Sequence, residues 1–173
     1  MPPKFIFIIP YRDREQHLQF FNRQMKYVLE DVPKDDYEIY FLHQCDVRKF
    51  NRGAMKNIGF LAIRDKYPND YKNITLVFND IDTMPFEKNV LNYKTVPGVI
   101  KHFYGYKFAL GGIVSITGQD FERMNGFPNF WAWGCEDNCV NCIYDRAIAA
   151  CIIVDRTTFF PIGDHIILQL YDG

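Results

Sequence analysis

"FIFIIP", residues 5–10, is a continuous apolar run closed by a proline. A strand buried on both faces reads this way, because neither face alternates with polar residues. "REQHLQFFNRQMKYVLED" (14–31) follows and sets Leu18, Phe21, Met25, Val28 and Leu29 on one helical stripe. "YEIYFLHQ" (37–44) reads as a second strand. "RGAMKNIGFLAIRDKY" (52–67) reads as a helix with Met55, Ile58, Leu61 and Ala62 on one face. "ITLVFNDID" (74–82) is a third strand that runs into acids. The order β-α-β-α-β predicts an α/β fold with a mostly parallel central sheet flanked by helices.

Beyond it the pattern is thinner. Residues 83–108 show no regular period. "GGIVSIT" (111–117) reads as a strand and "TGQDFERMNG" (117–126) as a short helix, with Thr117 as cap and Gly126 as stop. A helix is expected after Asp137, running towards Ala150, and "CIIVD" (151–155) as a further strand. No repeat, linker or low-complexity segment divides the 173 residues, so one domain over 1–173 is expected.

Composition removes several function classes. The chain is 48% apolar with a formal net charge of −1, which suits a globular core and gives no global field for nucleic acid. No apolar run is long enough to span a bilayer, and the N-terminus lacks a small-residue cleavage site. Five cysteines occur, an odd count that argues against a disulfide framework. Cys135, Cys139 and Cys142 share a helix face, but a zinc site would add a second ligand pair at a recognisable spacing. Buried free thiols in a reducing, cytoplasmic setting are the expectation.

In an open α/β sheet, ligands bind beyond the carboxyl ends of the strands. "PYRDR" (10–14) falls there, and Arg12 and Arg14 can grip phosphate with guanidinium forks or simply begin a solvated helix. "NDID" (79–82) offers Asp80 and Asp82, either a hard-cation site or two solvated turn carboxylates. Arg52, in "KFNRGAMKNIGF" (49–60), lies at a loop-to-helix junction. "FWAWGCEDNC" (130–139) sets the only two tryptophans, Trp131 and Trp133, against Glu136 and Asp137. Such a stretch can stack a sugar and supply a base, or form an aromatic cluster beside a helix N-terminus that favours acids.

Taken in order, "IIPYRDREQHLQFF", "FNRGAMKNIGF", "FNDID" and "GGIVSITGQDFERMNGFPNFWAWGCED" resemble the motifs of the β-1,4-galactosyltransferase family. The resemblance runs from about Phe5 to Asp137 and fades over the last thirty-odd residues. It implies a GT-A type fold and an inverting transfer from a UDP-sugar with manganese. It implies that Pro10, Tyr11, Arg12 and Arg14 hold the uridine diphosphate, with Phe50 and Arg52 as a second donor-binding pair. Asp80 matches a donor-contacting acid, Ile81 counts with it, and Asp82 matches the metal ligand. Trp133 matches the tryptophan beside the sugars, Glu136 an acceptor-side acid and Asp137 the catalytic base. Ala109, two residues before the paired Gly111 and Gly112, matches the gate beside carbon 2 of the donor sugar.

The chain also departs from the family. Asn138 stands where the family often has a third acid. His165 lies at about the right distance for the second metal ligand, but Ile162 stands where the family often has a ligating methionine. The anchor and stem of the animal enzymes are missing, so a compact soluble enzyme of bacterial or viral type is expected. The expected function is transfer of a hexose or N-acetylhexosamine from a UDP-sugar to a glycan or glycoconjugate hydroxyl, with Mn²⁺ as cofactor. The competing expectation is a sugar- or nucleotide-binding module of the same fold with weakened catalysis.

Overall fold

The computed structural model describes residues 1–131 and 143–171. Phe5–Tyr11 (β1) lies inside the sheet and is buried from Phe5 to Pro10. Tyr37–His43 (β2) runs parallel on one side of it, in register from Phe5↔Tyr37 to Tyr11↔His43. Thr75–Asn79 (β3) runs parallel on the other side, from Phe5↔Thr75 to Ile8↔Phe78. The carboxyl ends of the three strands therefore finish along one rim.

The seven-stranded sheet extends past β3 through Ile113–Thr117 (β6), Val99–Gly105 (β5) and Ile153–Asp155 (β7), in the order β2-β1-β3-β6-β5-β7. Phe160–Pro161 (β8) adds to β5. Thr83–Pro85 (β4) and Ile167–Gln169 (β9) make a separate antiparallel pair. The sheet is mixed: β6 runs against both β3 and β5, while β7 and β8 follow β5 in parallel. The short β5–β6 connection permits only this, since parallel neighbours need a long crossover. β5 lies in the stretch that carries no regular pattern, because Lys101 and His102 interrupt its apolar run.

β1 is apolar throughout because both its faces are covered. Ile6 and Ile8 join Leu76, Phe78, Phe60, Ile63 and Phe121 on one side. Phe5, Phe7 and Ile9 join Val77, Phe21, Met25 and Val28 on the other. Each such fully buried side chain contributes about 1.5–3 kcal/mol. Glu15–Val28 (α1) packs the expected stripe, with Phe21, Met25 and Val28 buried.

Arg52–Lys66 (α2) does not bury the expected face: Ile58 and Leu61 are 48% and 47% exposed. The buried set is Gly53, Lys56, Gly59, Phe60 and Ile63. Gly59 explains the choice, since a Cβ there would sit 2.7 Å from Ile8 Cγ2 and 3.2 Å from Leu42 Cδ2. The helix approaches the sheet on its smallest side chain, which hydropathy does not count as apolar. Gly118–Arg123 (α3) begins as expected, with the Thr117 hydroxyl accepting from the Asp120 amide. Ile143–Ala149 (α4) leads into β7.

The described cysteines, Cys45 and Cys151, are free but exposed, not buried as expected. Each lies outside the regular elements, Cys45 just after β2 and Cys151 at a positive φ of 55° after α4. Cys135, Cys139 and Cys142 lie outside the described residues. Among the described residues, no helix is long and apolar enough to cross a membrane.

Candidate functional site

The rim left by β1, β2 and β3 is organised by a few buried polar side chains. Gln44, 4% exposed, donates from Nε2 to Asp46 Oδ1 at 2.8 Å and to the Lys49 carbonyl at 3.1 Å, and accepts from the Asn51 amide at 2.8 Å. This folds residues 44–51 into a fixed loop that delivers Phe50 and Arg52 to the rim. Asn51 caps α2 by accepting from the Ala54 amide at 2.9 Å, a contact worth about 1 kcal/mol. Its own amide donates to Asn129. Arg12 donates to the Arg48 carbonyl, and Arg14 Nη1 lies 3.0 Å from His17 Nδ1.

The acids stand beyond β3. Buried Asn79 donates to the carbonyls of Asp80 and Thr83, each at 2.7 Å, and so ties the 79–83 turn. Arg52 Nη1 meets Asp80 Oδ2 at 2.9 Å, with both side chains 15% exposed. Lys56, 1% exposed, places Nζ 3.8 Å from Asp80 Oδ1 and 4.6 Å from the Phe127 ring centroid. Asp80 Oδ1 is buried and makes no hydrogen bond. Burial, and then the neighbouring charge of Asp80, push the Asp82 carboxyl up to about 6. Two close carboxylates, one with a buried oxygen that accepts no hydrogen bond and meets only the Lys56 ammonium at 3.8 Å, and one reluctant to ionise alone, offer hard oxygen donors of the kind a divalent cation takes.

One cavity of about 350 Å³ joins these parts. Pro10, Tyr11, Arg12 and Arg14 line it from β1 and its extension, Phe50 and Arg52 from the start of α2, and Asp80, Ile81 and Asp82 from the end of β3. Asp13, which the sequence reading passed over, is the remaining lining residue. Sequence reading also missed Gln44, Asn51, Lys56 and Asn79. The available signal was a polar residue set inside or beside an apolar stretch.

Ala109, Gly111 and Gly112 do not line the cavity but adjoin it, since the Asp80 amide donates to the Gly112 carbonyl at 3.1 Å. His165 lies in the exposed turn before β9. The β4–β9 ladder sets Leu170 against Asp82 and Ile166 against Phe86, so this turn lies beyond the far end. The offset along the ladder is on the order of 10 Å. Among the described residues, no three His, Cys, Asp or Glu side chains converge on a metal position.

Trp133, Glu136 and Asp137 lie outside the described residues. The segment leading to them is pinned to α2. Asn57 donates to the Phe127 carbonyl and accepts from its amide, both at 2.9 Å. The Arg48 guanidinium lies 3.8 Å over the Trp131 ring.

Residues 2–94 match the model of the N-terminal region of glycosyl transferase group 7. Residues 98–166 match a second model, described as the N-terminal domain of galactosyltransferase. The chain belongs to the β-1,4-galactosyltransferase family. Family relatives include the xylosylprotein 4-β-galactosyltransferase of Caenorhabditis elegans, 33% identical over 144 residues, covering 78% of this chain and 48% of the relative. β-1,4-Galactosyltransferase 1 of Mus musculus is 33% identical over 146 residues, covering 79% of this chain and 35% of the relative. The chain thus spans half or less of the length of these curated relatives. The catalytic domain of Drosophila β-1,4-galactosyltransferase 7, solved in complex with xylobiose, superposes with a TM-score of 0.80 at 25% identity, covering 98% of this chain and 71% of that one. A mutant of the same Drosophila protein, solved with manganese, UDP-Gal and xylobiose, gives 0.78 at 24% identity and bears on the fold. The architecture is that of the GT-A galactosyltransferase catalytic domain.

Proposed function

We propose that the chain is an inverting glycosyltransferase that moves a hexose or N-acetylhexosamine from a UDP-sugar to a carbohydrate hydroxyl. The observation that carries this reading is the single cavity where Arg12, Arg14 and Arg52 face Asp80 and Asp82. Guanidinium groups match phosphate oxygens, and the flat side chains of Tyr11 and Phe50 suit a planar base. The xylobiose of the Drosophila relative supports a glycan acceptor.

Asp82 would hold a manganese ion, with Asp80 beside it, because both offer hard oxygen donors and Asp80 Oδ1 accepts no hydrogen bond. When bound, the ion offsets negative charge on the diphosphate. The arginines hold the donor in line, and α2 fixes Arg52 through the Asn51 cap. Asp137 removes the proton from the attacking acceptor hydroxyl, while Trp133 and Glu136 position that sugar. The test is hydrolysis of a UDP-sugar panel with and without manganese. No turnover and no UDP binding would overturn the reading.

Two expected outcomes arise here. His165→Ala should leave the manganese requirement within about twofold, because the ladder register sets Leu170 rather than His165 directly beside Asp82. A manganese titration of both proteins checks this, and a several-fold rise in the requirement would restore His165 as a ligand. Ala109, 4% exposed, is a small side chain at the position the resemblance makes the donor-sugar gate. Ala109→Tyr should shift preference towards UDP-galactose over UDP-N-acetylhexosamines by about 1–3 kcal/mol. The kcat/KM ratio for the two donors measures it, with a melting curve to check folding.

A further inference from the structure

The β5–β6 turn closes around a buried imidazole. His102 is 0% exposed, and its Nε2 lies 3.0 Å from the Tyr104 carbonyl and 3.1 Å from the Gly111 carbonyl. Arg156 Nε donates to its Nδ1 at 3.0 Å. A guanidinium only donates, so Nδ1 must accept and the ring proton sits on Nε2, facing the two carbonyls. Every polar atom of the ring is thus committed.

The backbone is shaped for this ring. β5 shifts register between His102 and Tyr104. Gly105, at φ +135°, has no side chain where a Cβ would lie 2.8 Å from the Gly111 carbonyl oxygen and 3.2 Å from His102 Nε2. Gly112, at φ +77°, has none where a Cβ would lie 2.3 Å from the Tyr104 carbonyl oxygen. Glycine alone allows both approaches. The Gly112 carbonyl then accepts from the Asp80 amide at 3.1 Å. A continuous run links the Arg156 guanidinium, the imidazole, the Gly111–Gly112 backbone and the cavity acid Asp80.

Arg156 comes from the stretch after β7, far along the chain from the turn it meets. Its guanidinium lies 5.5 Å from the Tyr144 ring and 5.9 Å from the Phe159 ring, and Phe159 packs edge-on to His102 at 4.9 Å. The segment after β7 therefore grips the turn beside the cavity. We propose that Arg156 and His102 are positioning residues that hold segment 109–112 against Asp80 and so set which donor sugar is accepted. This rests on the donor reading of the cavity. Arg12, Arg14 and Arg52 stand on β1's extension and on α2, elements other than the β5–β6 turn. Loosening the clamp should alter discrimination between sugars more than the hold on diphosphate.

The experiment compares wild type, Arg156→Met, Arg156→Lys and His102→Asn. Calorimetry gives the Kd for UDP, and steady-state kinetics give kcat/KM for UDP-galactose and UDP-N-acetylglucosamine. Arg156→Met and His102→Asn should move the donor ratio at least about fivefold with UDP affinity within twofold, and Arg156→Lys should recover part of the change. An unmoved ratio in folded variants, or equal weakening of UDP and both donors, would overturn the proposal. Nitrogen NMR of wild-type His102 tests the clamp separately. An Nε2–H tautomer whose Nδ1 signal moves in Arg156→Met supports it, and an Nδ1–H tautomer overturns it. If wild type binds neither UDP nor UDP-sugars, the donor reading falls, and the selectivity assigned to the clamp falls with it. An intact NMR signature would then show that the donor reading, not the clamp geometry, was at fault.

Discussion

Asp137→Asn should keep UDP binding and lose about 10²-fold or more in sugar transfer. Asparagine keeps the size of the side chain and its hydrogen-bonding reach, but it cannot take a proton at neutral pH. A sugar hydroxyl is a weak nucleophile until a base accepts its proton as the new bond forms. A positioned general base typically contributes 10²–10⁴. In the proposed reading, donor binding depends on a different set of groups, the arginines that line the cavity at the rim of β1 and at the head of α2. The prediction therefore separates two readouts: calorimetric UDP affinity unchanged within about twofold, and transfer to an acceptor panel reduced by the stated factor. Transfer near the wild-type rate would move the role to another group, with Glu136 the first to test. A parallel fall in UDP affinity would mean that Asp137 shapes the donor cavity instead.

What could be read from the sequence follows physical range. β1 was legible because burial on both faces writes an unbroken apolar run, and the polar residues at its end mark where the sheet meets solvent. The same logic found Asp80 and Asp82 after β3 and Arg52 at the head of α2, each set by the end of one element. α2's buried face was misread, since close packing there is made by Gly59 against Ile8 and Leu42, and glycine carries no apolar signal. β5 was missed because its buried polar residue, His102, is satisfied by groups distant in sequence, Gly111 and Arg156. The pairing of β4 with β9 has a related cause: it joins segments over 80 residues apart, and no local pattern records it. Local periodicity reports which residues an element buries. It does not report which partner satisfies a buried polar group, and that is where Lys56, Asn79 and His102 escaped notice.

Asp82→Asn should produce a protein that is more stable at pH 8 yet much less active. In the fold, burial and the adjacent Asp80 charge push Asp82 up to about 6 from an ordinary value of 3.8. Between these values the folded chain holds a proton that the unfolded chain has released. Stability from this group therefore falls as pH rises from about 4 to 6, and the full cost is present above that window. At about 1.4 kcal/mol per pH unit, the cost at neutral pH is about 1–3 kcal/mol. Asparagine does not ionise and escapes it, so the melting temperature at pH 8 should rise by about 2–8 °C, with little gain at pH 4. Manganese should reverse the order. At a hundred times its Kd, an ion that binds only the folded wild type adds about 2.7 kcal/mol, and the variant should gain little of this. Manganese-dependent turnover should fall by about 10²-fold or more, because a carboxylate contacting a hard cation is replaced by a neutral amide. Melting curves at pH 4.5 and pH 8, with and without manganese, test each step. A variant stabilised by manganese as much as wild type would remove Asp82 from the metal site. A variant less stable than wild type at pH 8 without metal would show that Asp82 is already neutralised by the arginines around it, Arg14 and Arg52, whose charges oppose the upward shift.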